Sequence, residues 1–222
     1  MSSESLGSRS LRDFLSERHS TRGFQDREID RETLTSLLET ASYIPSGGNR
    51  HAHRFTVLTR GQTRTVLMGA LLRIYRRRSR LLNSALLRVL ARPVSGPVTR
   101  EFLRDREYGP RIRNLIGRLA AGEDPIFYGA PVVVLIHSGV RIPTPKEDCV
   151  LAGFVLSLAA LEAGIGACFV TLGQSAINAS ARCKRILGLP AAEQVHAVVV
   201  LGYPVGARQP PSRREVREIR YV

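Results

Sequence analysis

Val132, Val133, Val134, Leu135 and Ile136 follow Pro131 with no polar residue among them. Successive side chains of a strand point to opposite faces, so this continuous apolar run predicts a strand over residues 131–138 that is buried on both faces. It belongs in the middle of the fold.

Helices and strands alternate around it. Ser8 or Ser10 can cap a first helix carrying Leu11, Phe14 and Leu15 and ending near Gly23; Asp30 caps a second, with Leu34, Leu37, Leu38 and Ala41 on one stripe, stopped by Pro45. Residues 54–59 read as a strand. A basic helical region follows and is broken by Pro93 and Pro97 around Gly96. Residues 146–163 read as a helix that is apolar nearly all round and therefore buried, ended by Gly164. A strand over 167–172, a helix over 177–187 stopped by Gly188 and Pro190, and a strand over 195–203 complete the pattern. The tail is polar and proline-bearing until residues 216–222, which regain strand-like character.

The chain has 222 residues, 43% of them hydrophobic, enough for a sizeable core in one domain. No run approaches the roughly 20 apolar residues of a membrane span. The N-terminus is Ser-rich and mixed in charge, without the apolar stretch of a secretory signal, so the expected location is the cytoplasm. Cys149, Cys168 and Cys183 are odd in number and widely separated, which writes neither a disulfide framework nor a zinc site; they read as reduced thiols.

The net charge is +14, and most of the excess lies between Arg64 and Arg118, where fourteen arginines face three acids. Leu67, Leu71, Ile74 and Tyr75, then Leu82, Ala85, Leu86, Val89 and Leu90, recur there at helical spacing. The stretch reads as a helical layer with its arginines in water. Sharper readings are a surface for an acidic protein or phosphorylated ligand, or a helix resting on an anionic membrane. Nucleic acid fits poorly, because aromatics are scarce among the arginines and no nucleic-acid-binding motif is present.

Two short motifs carry the chemistry. Arg18-His19-Ser20-Thr21-Arg22 offers two guanidinium forks and hydroxyls, and Pro45-Ser46-Gly47-Gly48-Asn49 adds a hydroxyl, an amide and two residues that permit close backbone approach. Taken separately, each is also what a helix end or a polar turn looks like; one helix apart, they suit a phosphorylated cofactor. Gly164-Ile165-Gly166 follows a helix and enters a strand, the reverse of a dinucleotide-binding loop. There is no GxSxG elbow and no HExxH. His51 and His53 lack a matched partner pair, His137 and His196 read as core or strand-end histidines, and Glu17, Glu28 and Glu39 form no carboxylate pair.

Glu17-Arg18-His19-Ser20-Thr21-Arg22-Gly23-Phe24, Pro45-Ser46-Gly47-Gly48-Asn49, Ala130-Pro131 before the apolar strand, Gly164-Ile165-Gly166-Ala167-Cys168, Leu187-Gly188-Leu189-Pro190 and Leu201-Gly202-Tyr203-Pro204 occur in the order found in the FMN-dependent nitroreductase family, which the chain resembles over nearly its whole length. The resemblance implies an α+β fold: a three-layer α-β-α sandwich with a mixed, mainly antiparallel central sheet, in an intertwined homodimer with an FMN in each of two interface sites. A single domain would span 1–222, with a basic helical insert over 62–122 and a C-terminal arm over 205–222 adding to the partner's sheet.

The resemblance also assigns cofactor-binding roles. Arg18, Ser20 and Arg22, with His19 between them, would meet the phosphate or ribityl chain. Arg214 or Arg213 would be a C-terminal phosphate contact. Pro45, Ser46, Gly47 and Asn49 would line the isoalloxazine, from the other subunit or a facing wall, and Thr171, Leu172 and Gly173 would place backbone groups near its N5. No side chain is expected to be catalytic, and no metal is expected. The implied function is ping-pong transfer of hydride or electrons from NAD(P)H or a ferredoxin- or flavodoxin-like donor to a small organic acceptor. Arg50-His51-Ala52-His53 departs from the Gln-Pro-Trp-like segment of many relatives, and the basic stretch resembles the branch often joined to a ferredoxin domain. A non-catalytic flavin-binding or flavin-handling protein and a peripheral membrane protein are the alternatives.

Overall fold

A computed structural model describes residues 10–83, 108–206, 210 and 214–222. Four strands, β1 (Arg54–Thr59), β2 (Val132–Gly139), β3 (Gly166–Phe169) and β4 (Glu193–Gly202), form one sheet in the order β1-β2-β4-β3. Seven α-helices accompany them among the described residues: α1 (Leu11–Glu17), α2 (Arg31–Ala41), α3 (Gln62–Asn83), α4 (Tyr108–Ala120), α5 (Pro145–Glu162), α6 (Thr171–Asn178) and α7 (Ala181–Ile186). The apolar run of β2 is central, as its sequence demands. Val132, Val134 and Ile136 enter one core with Leu34, Leu37, Ala152 and Leu156 of α2 and α5. Val133 and Leu135 enter the opposite core with Leu67, Leu71, Tyr75, Ile112 and Ile177 of α3, α4 and α6. The result is an α+β sandwich of three layers.

Every strand pairing is antiparallel among the described residues, so the parallel component of the expected mixed sheet does not occur there. Among the described residues, the strand-like stretch 216–222 pairs with no strand, and Val216, Ile219 and Tyr221 are exposed. Residues 84–107, with the proline break and most of the 82–90 stretch, lie outside the described residues, as does Ser8.

The first helix is shorter than its sequence predicts. Ser10 caps it, its hydroxyl accepting from the Asp13 N–H at 3.2 Å, but the helix ends at Glu17 instead of near Gly23. The following residues go to the sheet instead: Thr21 N–H donates to Ala167 O at 3.0 Å, Gln25 N–H to Tyr203 O at 2.8 Å, and Val205 N–H to Gly23 O at 3.1 Å. Asp30 caps α2, and the Thr33 backbone N–H and hydroxyl hold its carboxylate below the usual range. That helix stops at Ala41, before Pro45 is reached.

The strand expected over 167–172 ends at Phe169, and the single helix expected over 177–187 is two helices, α6 and α7. His137 is a buried strand-end histidine: Nδ1 pairs with the Glu193 carboxylate, and Nε2 lies 2.9 Å from Thr56 Oγ1. The three cysteines are reduced and buried, and burial pushes the Cys149 thiol up to about 11.

Candidate functional site

Because residues 18–25 run extended along the ends of β3 and β4, their side chains alternate. Thr21 turns inward, 7% exposed, and Arg18, Ser20 and Arg22 are left accessible. Thr21 fits only because Gly166 lies opposite: a Cβ there would come within 2.6–2.8 Å of the threonine side chain. His19 is fixed from both ring nitrogens, with Nδ1 3.1 Å from Glu17 O and Nε2 3.4 Å from Thr21 Oγ1.

These residues form one wall of a cavity of about 340 Å³, within the roughly 300–1,000 Å³ typical of small-molecule sites. Ser157 and Leu161 of α5, the Gly164–Gly166 turn and Pro204–Gly206 complete it. None of these was assigned a cofactor role from the sequence, although the Gly-x-Gly signal was visible. Its order, helix to strand, excludes a dinucleotide-binding loop, yet it still brings backbone beside two arginines. Arg22 additionally lies over the Tyr128 ring, 5.8 Å from its centroid, and Tyr128 itself has a positive φ of 57°.

Pro45, Ser46, Gly47 and Asn49 are not in this cavity. They form a tight turn against the start of α5, where Gly47 N–H donates to Thr144 Oγ1 at 2.9 Å and Thr144 in turn donates to Asp148 Oδ1 at 2.8 Å. Ser46 Oγ accepts from His51 N–H at 2.9 Å, and the His51 ring meets Asn49 Oδ1 at 2.8 Å. Gly48, Asn49 and His51 all have positive φ, a conformation that is sustained only where surrounding bonds fix it. Pro45 and His51 border a second, more open cavity of about 780 Å³ beside α2.

Thr171, Leu172 and Gly173 form the first turn of α6. Leu172 O accepts from Tyr75 Oη at 2.9 Å, and Gly173 packs on Phe127, where a Cβ would come within 2.6 Å of the ring. Within one chain the expected cofactor contacts therefore fall into three places, of which only the Arg18–Arg22 group lines the first cavity. Arg214 is exposed and does not line it, and Arg213 lies outside the described residues. Among the described residues no group of His, Cys, Asp or Glu is arranged to hold a metal, and no helix is long and apolar enough to cross a membrane.

Helix α5 links the cavity to an open surface. Val150, Phe154, Ser157 and Leu161 recur at spacings of three and four residues and so share one face. Ser157 and Leu161 line the cavity, whereas Val150 and Phe154 are 38% and 40% exposed. Leu151 and Phe169, 41% and 39% exposed, widen this apolar surface.

Comparison with known proteins accords with this geometry. The nitroreductase family profile matches residues 15–203. A Bacteroides fragilis nitroreductase with bound FMN is 20% identical, covering 97% of this chain and 100% of its own, with a TM-score of 0.67. A Desulfitobacterium hafniense nitroreductase with bound FMN is 23% identical over 94% of this chain and 96% of its own, also at 0.67. The FMN- and NADPH-dependent nitroreductase NfnB of a Sphigopyxis strain is 21% identical over 93% and 96%, at 0.61. No curated protein matches the chain. With the family profile spanning all four strands and the Arg18–Arg22 wall of the cavity, the chain belongs to the nitroreductase family.

Proposed function

We propose that this chain is an FMN-dependent oxidoreductase, working as a homodimer, that passes hydride or electrons from NAD(P)H or a reduced carrier protein to a small organic acceptor in a ping-pong cycle. The observation that carries this reading is the cavity in which Arg18, Ser20 and Arg22 stand across from the Gly164–Gly166 backbone. Its donor set fits a phosphate: two guanidinium groups for charge-assisted pairing, a hydroxyl, and close backbone approach at glycines. FMN bound there would supply the redox chemistry, as a two-electron store that donor and acceptor visit in turn.

The chain's own residues bind and shield. Arg18 and Arg22 would neutralise the phosphate and hold its position, with Ser20 and His19 bordering the sugar chain. In one chain the Pro45–Asn49 turn stands away from this cavity, so the ring's second wall is assigned to a second copy. The uncovered Val150–Phe154 face of α5 supports that assembly, because it runs directly into the cavity; a copy seated on it would exclude water from the site. The Thr171–Gly173 turn, held by Tyr75, is assigned to the reactive edge of the ring.

The FMN-bound nitroreductases among the similar structures support the cofactor, and the NADPH-dependent one supports a nicotinamide donor. Anaerobic titration of the purified protein with NADH, NADPH and reduced ferredoxin, followed at the flavin absorbance band, tests the proposal. Bleaching by a donor and recovery on adding a nitroaromatic are expected. A bound flavin that none of the donors reduces would identify a flavin-binding protein without turnover, and a lack of bound flavin would remove the assignment altogether.

A further inference from the structure

On α3, Arg73 lies three and four residues before Arg76 and Arg77, and Arg80 lies four and three after them, which sets all four on one face, opposite the buried Leu67, Leu71 and Tyr75. All four are exposed. Helix α7 packs beside α3 and adds the exposed Arg182 and Arg185. Burial pushes the thiol of Cys183, on α7, up, and the charges of Arg182 and Arg73 both act against that shift.

The other two arginines of α3 are engaged. Arg64 pairs with Asp124, and Arg78 donates to Ser175 Oγ and to Ser175 O, each at 3.2 Å. The six on the outer face make no ion pair among the described residues. Like charges at these spacings repel, and a complementary surface from outside relieves that repulsion. No large apolar side chain is exposed on the described part of this face; among the described side chains of α3, the exposed one is Val66, near the helix start. The described part of this surface is thus charged, without the aromatic anchors of a tight protein interface or the apolar side that a helix inserts into a lipid boundary. What it fits is a weak, salt-sensitive, electrostatically steered encounter, the kind made by redox proteins.

Its position matters as much as its charge. On the inner side of the same helix, Tyr75 holds the first turn of α6, the turn assigned above to the reactive edge of the flavin, and Arg78 holds Ser175 in the turn that follows. We propose that the Arg73–Arg76–Arg77–Arg80 stripe, extended by Arg182 and Arg185, docks a small acidic electron-carrier protein that reduces the bound cofactor. This rests on the FMN reading. Two electrons leave the carrier side per turnover, from two one-electron carriers or one two-electron carrier. The carriers depart oxidised, and the accompanying protons come from solvent.

The test is anaerobic stopped-flow reduction of the FMN-loaded protein by reduced ferredoxin, from low to physiological salt. In the Arg76→Glu/Arg77→Glu variant, and separately in Arg73→Glu/Arg80→Glu, the second-order rate should fall about tenfold or more at low salt, and its salt dependence should flatten. Arg76→Lys/Arg77→Lys should keep most of the rate. FMN content and light-driven photoreduction should match the parent in every variant. Equal rates and salt slopes in parent and charge-reversed proteins, with FMN intact, overturn the docking surface alone; so does loss of flotation with phosphatidylserine vesicles while carrier reduction is unchanged. Absence of bound FMN in the parent overturns the underlying reading as well.

Discussion

Arg22 borders the cavity and lies over Tyr128, whose left-handed backbone sits in a turn closed by Ala130 N–H donating to Phe127 O at 3.0 Å. Arg22→Glu should weaken FMN binding by about 2 kcal/mol, roughly thirtyfold. Its effect on melting of the cofactor-stripped protein should be that of an ordinary surface change. Fluorescence titration with FMN and a thermal melt separate the two effects, and full FMN affinity in the variant counts against the site. His53 and His196 pose a different residue-scale problem. Burial pulls both imidazoles below their ordinary 6.5, and His53 Nδ1 and His196 Nε2 are buried without a hydrogen-bond partner among the described residues. As pH falls through about 6.5 the unfolded chain takes up protons that the folded chain refuses, so stability rises with pH in that window and is lost below it. Melting temperatures recorded between pH 7.5 and 5.5 should fall less steeply for His53→Gln/His196→Gln than for the parent; parallel curves would refute this. The arginine motif was legible in the sequence because its chemistry is local. The sequence reads His196 as a core or strand-end residue and gives His53 no such role, since the burial of both comes from packing.

Helix α5 shows what an apolar sequence does and does not specify. Its composition predicts burial on every side, yet Val150, Leu151 and Phe154 are substantially exposed in one chain. Both facts agree if a second copy covers them. Phe154→Glu should shift the protein toward monomer in light scattering and lower FMN occupancy with it; an unchanged dimer would show that this face is not the contact. The start of α6 was misread for a related reason. Val170-Thr171-Leu172 has strand character, but the edge of β4 beyond β3 is satisfied by helix side chains: Gln174 donates to His196 O at 2.8 Å and Asn178 to Val195 O at 2.7 Å, while Val195 N–H donates to Asn178 Oδ1 at 3.0 Å. Such bonds join residues far apart along the chain and leave no mark in local propensity. The early end of α1 has the same origin, in the pairing of Thr21 with Ala167. Gly166→Val drives a side chain into Thr21 and should cost about 1–3 kcal/mol through overpacking. Displacing that pairing should also loosen FMN. A variant as stable as the parent by denaturant titration would contradict the packing.

At the scale of the molecule, the layer order was readable from β2 and the amphipathic helices. The division of the site was not, because no local pattern says which walls belong to the same cavity. One chain holds the Arg18–Arg22 wall in one cavity and the Pro45–Asn49 turn elsewhere, at the other end of α5, and on the proposed function two copies bring them together. Mixing two defective proteins tests this most directly. Arg22→Glu damages the phosphate wall, and Gly47→Val damages the other, because a Cβ at Gly47 would overlap Thr144 Oγ1 at 2.0 Å. Each variant alone should retain little FMN. Purified heterodimers carrying one copy of each should bind one FMN per dimer, since one of their two shared sites has both walls intact. Heterodimers as empty as the two parents would mean that each site is built within a single chain, and would contradict the account.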